Sequence, residues 1–152
     1  GIAEVENIAL GDTFKAIASA AGDAINPCAA NDDAFFTTGD GWVLGVRGQG
    51  KGILDEGGYI SQTATALALI SVSTPAAPLG PVGPAGLQLG SDEAQVQAAL
   101  PGADVSTGAG ATLYTTALPD GTSLTVEVTE GVVTRITVSD SPMTAGVYTP
   151  VC

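Results

Sequence analysis

Ser123-Leu124-Thr125-Val126-Glu127-Val128-Thr129-Glu130-Gly131-Val132-Val133-Thr134-Arg135-Ile136-Thr137-Val138-Ser139 decides the fold class. Leu124, Val126 and Val128 alternate with Thr125, Glu127 and Thr129, the period of two expected of a strand with one buried face. Glu130-Gly131 supplies a turn. Beyond it, Val132, Thr134, Ile136 and Val138 alternate with Val133, Arg135 and Thr137, so the stretch reads as an antiparallel hairpin. Upstream, Leu113-Tyr114-Thr115-Thr116 followed by Pro119-Asp120-Gly121 adds another strand and turn. Further upstream the apolar period lengthens to that of a helix. Ser91 can cap it, Asp92 and Glu93 sit at the positive end of its dipole, Val96, Ala99 and Leu100 share a face, and Pro101-Gly102 stops it.

The first half of the chain follows the same order. Ile8-Ala9-Leu10-Gly11-Asp12-Thr13 opens a helical pattern, as Leu87-Gln88-Leu89-Gly90-Ser91-Asp92 does later. Asp12 or Thr13 can cap it, Phe14, Ile17, Ala18 and Ala21 share a face, and Gly22 suits the left-handed position past the end. Phe35-Phe36-Thr37-Thr38, the turn Gly39-Asp40-Gly41, then Trp42-Val43-Leu44-Gly45-Val46 and Ile70-Ser71-Val72-Ser73 complete the correspondence. This predicts an α+β protein of two tandem repeats, each a short helix packed on an antiparallel meander. Residues 1–73 form the first repeat, with an insertion at about 47–63, and residues 87–152 form the second. Between them, residues 74–86 carry four prolines and read as an extended connector.

Of 152 residues, 16 are Asp or Glu and only 4 are Lys or Arg, a formal charge of −12, with no His. Nucleic-acid binding needs cations to displace phosphate counterions, and adhesion to anionic membranes needs them too, so neither partner is expected. Without His there is no serine triad and no imidazole metal ligand. The longest apolar run, 64–72, is about half of a bilayer crossing, so no membrane insertion is expected. Gly1 opens the chain and Met143 is its single Met, which reads as a processed chain. Cys28 and Cys152 fit neither a metal nor a redox spacing and are expected to form a disulfide. A loop that long would yield roughly 4 to 5 kcal/mol in the chain-entropy model. Scarce lysine, abundant Gly, Ser and Thr, and a terminal Cys suit an exported bacterial protein in an oxidising setting.

Candidate binding residues cluster in the first half. Gly45-Val46-Arg47-Gly48-Gln49-Gly50-Lys51-Gly52 begins like a phosphate-cradling loop, but Gly52 stands where Ser or Thr would hold magnesium. Arg47 and Lys51 are half of the chain's cations within five residues, a natural contact for an anionic group. Trp42, Phe35 and Phe36 can stack on a flat ligand or fill the core. Tyr59, Tyr114, Tyr148 or Met143 would have to ligate haem. Asn31-Asp32-Asp33, with Asp23 and Asp40, lacks the spacing of a calcium loop and reads as a solvated acidic loop. No metal site and no catalysis are expected from this set.

The repeat over 8–21 and 87–100, with 42–46 and 123–139, resembles the tandem repeats of the beta-lactamase inhibitory proteins and the single repeat of the SmpA/OmlA envelope lipoproteins. The resemblance implies their helix-on-meander fold, and inhibition of a beta-lactamase as one function. The chain departs from that pattern in having Asp12-Thr13 and Ser91-Asp92 where those families place Met-Thr, two cysteines in all, and 5% aromatic residues. The stretch 35–74 is also similar to a secreted antioxidant protein of skin propionibacteria, which implies haem or flavin as cofactor. The residues themselves point first to a monomeric, secreted, non-enzymatic binding module, engaging a protein or a small anionic ligand. No cofactor is evident from them.

Overall fold

The computed structural model describes residues 25–28, 33–37, 40–49 and 63–140. Eight strands form one antiparallel sheet: β1 (Ile25–Cys28), β2 (Asp33–Thr37), β3 (Trp42–Gln49), β4 (Thr63–Ser71), β5 (Asp104–Gly108), β6 (Ala111–Ala117), β7 (Ser123–Thr129) and β8 (Val132–Ser139). Their order across the sheet is β1-β2-β3-β4-β8-β7-β6-β5. Two four-strand meanders therefore meet at a central seam, where β4 pairs with β8 and Leu69 lies opposite Ile136.

The expected architecture of two separate helix-plus-meander repeats is corrected by this topology. The sheet is continuous across both halves, and the described residues contain a single short α-helix, α1 (Glu93–Ala99). The helix expected at 12–22 lies outside the described residues, as does most of the insertion at 47–63. One core spans the seam. Trp42, Leu44, Val46 and Leu69 from the first meander are buried in the same cluster as Tyr114, Leu124, Val126, Val128, Val133 and Ile136 from the second, with Val96 and Leu100 of the helix region. The run 64–72, apolar but for Thr65 and Ser71, is explained by β4's place near the middle of the sheet. Ala66 and Ala68 are buried on one face and Leu69 on the other, so apolar residues suit both faces between 66 and 69.

The hairpin that opens the sequence reading forms as expected at its turn: Glu130 and Gly131 both have positive φ (53° and 82°), the two-residue geometry that matches strand twist. Past the turn the alternation fails. Val126 pairs with Ile136 but Val128 pairs with Val133, so β8 carries one extra residue there. The bulge moves the inward face from even to odd numbers, and Val133 rather than Thr134 enters the core. The polar positions also depart from a simple solvated face: Ser123, Thr125, Thr137 and Ser139 are buried.

Helix α1 starts one residue later than expected. Asp92 is the cap: its Oδ1 accepts from the Gln95 N–H at 3.0 Å, and Gln95 Oε1 accepts from the Asp92 N–H at 2.9 Å, a reciprocal capping box. Ser91 instead is buried and accepts from the Gln88 N–H at 3.0 Å. The proline-rich connector is bound to the body of the protein rather than free. Leu79 N–H donates to the Leu89 carbonyl (2.8 Å), Gly83 N–H to Leu87 (2.7 Å), and Gln88 Nε2 to Gly80 (2.6 Å). Pro84–Gly86 forms a short 3-10 turn in it. Gly90 shows how tight that binding is. Its φ is +87°, and an added Cβ would fall on Ala77, 2.8 Å from the carbonyl carbon.

Candidate functional site

Of the residues expected to bind, Trp42, Phe36 and Arg47 lie among the described residues. Trp42 is 5% exposed in the core cluster, and its indole packs against Gly80, where a Cβ would stand 3.2 Å from it. Arg47 lies half-buried on β3, with Ala66 opposite on β4 and Asp33 opposite on β2. Its carbonyl accepts from Thr65 Oγ1 at 3.3 Å, beside a bulge where β4 carries an extra residue. Phe36 lies in β2 opposite Leu44, and Cys28 in β1 opposite Asp33. Lys51, Tyr59 and Cys152 lie outside the described residues, and with them the anion contact's second cation and the expected disulfide. The described part of the run that begins like a phosphate loop is strand, not loop. Gly45, Val46 and Arg47 are paired with β2 on one side and β4 on the other, so their backbone is engaged in the ladder and cannot cradle a phosphate.

Three described acids of the second half, Glu93, Asp120 and Glu127, have structural partners. Tyr114 O–H donates to Glu93 Oε2 at 2.7 Å and accepts from Gln97 Nε2 at 3.3 Å, which fastens α1 over β6. The Glu93 carboxylate, by accepting that proton, and burial of the ring hold the Tyr114 phenol above its ordinary value. Asp120 accepts from the Thr122 N–H (3.0 Å) and hydroxyl (2.5 Å) in the β6–β7 turn, and these bonds hold its carboxyl below the usual range. Glu127 lies 3.4 Å from Arg135 across β7 and β8. Among the described residues no cluster of three or more His, Cys, Asp or Glu could hold a metal. Thr125 Oγ1 is buried and has no hydrogen-bond partner among the described residues.

What stands open is an edge. The sheet ends in β1 and β5, and the two differ. β1 contains Pro27, which has no N–H to offer an incoming strand. β5, Asp-Val-Ser-Thr-Gly, has neither proline nor lysine, and all five residues are exposed, Val105 at 57%. Native edges are commonly blunted by such residues or covered by loops, and among the described residues no loop covers this one. β5 carries little strand signal in its sequence, because Val105 is its only large apolar residue. Its signal was the Gly108-Ala109-Gly110 turn that follows.

No protein-family model matches the chain, and neither curated proteins nor solved structures gave a match. No described helix is long and apolar enough to cross a membrane.

Proposed function

We propose that this chain is a secreted, non-catalytic binding module of a bacterial envelope or its surroundings, engaging a protein partner. The observation that supports it is the uncovered edge at β5, set beside acids already committed to structural bonds with Tyr114, Thr122 and Arg135. A formal charge of −12 keeps the chain in solution and favours cationic partners over anionic ones. A small anionic ligand at Arg47 and Lys51 is the other form of this reading.

The test is capture on the immobilised full chain from the producing culture, followed by calorimetry with the purified partner. Saturable binding that weakens as salt is raised is the expected result. A saturable spectral shift on titration with haem or flavin would replace the reading with a cofactor-binding antioxidant protein. Tight inhibition of nitrocefin hydrolysis would place the chain with the beta-lactamase inhibitors.

A further inference from the structure

We infer that β5 is a docking edge for an extended basic segment of a partner protein, which adds to the sheet as a further antiparallel strand. This rests on the binding-module reading and names its surface and its partner's chemistry. The turn after β5 fixes which groups are on offer. Ala109 and Gly110 both have positive φ (52° and 79°), a two-residue turn whose flanking residues, Gly108 and Ala111, form a hydrogen-bonded pair. Antiparallel pairs alternate, so Ser106 with Leu113 and Asp104 with Thr115 are also bonded pairs. Val105 and Thr107 then direct their N–H and C=O groups away from β6. Those two donors and two acceptors have the spacing that an incoming antiparallel strand requires.

Charge selects the occupant. Between residues 87 and 140 the sequence holds seven acids (Asp92, Glu93, Asp104, Asp120, Glu127, Glu130, Asp140) and one cation, Arg135, a net −6. Asp104 lies on the strand itself and is exposed. Glu93 is bonded to Tyr114, the residue opposite Val105. A second copy of this chain would bring the same negative charge to the edge, whereas a strand carrying Lys or Arg would meet an opposite field. Every residue of β5 is exposed, and among the described residues no segment of the chain occupies this edge.

The experiment uses the intact chain, a short peptide of alternating Lys and Val, and its Glu/Val counterpart. Amide exchange read by NMR is expected to slow about tenfold at Val105 and Thr107 when the Lys/Val peptide is added, with Ser106 slow throughout. The Glu/Val peptide should have no effect, and high salt should reverse the protection. Thr107→Pro removes an outward N–H without touching the β6 ladder, and should weaken the peptide about tenfold. Binding that leaves Val105 and Thr107 unchanged, or equal binding of the Glu/Val peptide, overturns the inference. So does slow exchange at both residues in the free protein with a doubled mass in light scattering, which would assign the edge to a second copy. A captured partner that protects other amides would leave the binding-module reading standing and remove only this edge.

Discussion

Tyr114 couples three things at once: it fills the core, bonds Glu93 of the helix, and lies opposite Val105 of the edge strand. Because its phenol is held above the ordinary 10.0, the folded state keeps that proton where the unfolded chain loses it. The stabilisation is complete below that value and is lost as pH rises through the higher folded one. Tyr114→Phe should therefore lower stability by about 1 to 2 kcal/mol at neutral pH and flatten the alkaline decline, as read by urea midpoints across pH. Thr125 makes the opposite case. A buried hydroxyl without a partner carries a desolvation cost and no return, so Thr125→Val should leave stability unchanged or raise it by about 1 kcal/mol. A clear loss would mean that the hydroxyl has a partner in solution. Sequence cannot reveal such a residue. Thr125 occupies a strand position that alternation assigns to solvent, and only the sheet's packing shows it buried.

At the level of elements, the legible parts were those fixed by local chemistry. Proline and glycine at 101–102 end α1, Val96 and Leu100 face inward, and Glu130-Gly131 forms the turn. Errors arose where one residue shifts a frame. The extra residue in β8 exchanges the faces of Val133 and Thr134, and no side chain in that run announces a bulge. Ser91 and Asp92 are both good caps, and the choice went to Asp92 because Gln95 stands three residues on to complete the box. Asp92→Ala should cost about 1 kcal/mol by chemical denaturation, while Ser91→Ala should act through the Gln88 turn and leave the helix cap intact. Arg47 and Lys51 stand out in the sequence by charge alone; Arg47 lies on β3, within the strand Trp42–Gln49, and Lys51 lies outside the described residues.

For the whole molecule, the decisive fact is the seam. Similar strand patterns in the two halves suggested two units, each closed on its own helix, but pattern along a chain carries no information about which strands meet across it. Here β4 meets β8, and the apolar faces of both meanders fill one core. Ile136 is 2% exposed opposite Leu69, so Ile136→Ala should cost about 2 to 4 kcal/mol. Fluorescence of Trp42, the single tryptophan, reports the first meander and should lose its midpoint together with circular dichroism of the whole sheet. Separate midpoints would indicate two units. The most direct measurement is native-state amide exchange on the free chain, resolved by residue. One slow cooperative unit spanning β3, β4, β7 and β8, with Val105 and Thr107 exchanging fast beside a slower Ser106, is the expected result. Independent opening of residues before 73 and after 87, or slow exchange at Val105 and Thr107, would contradict a single sheet that ends in an open edge.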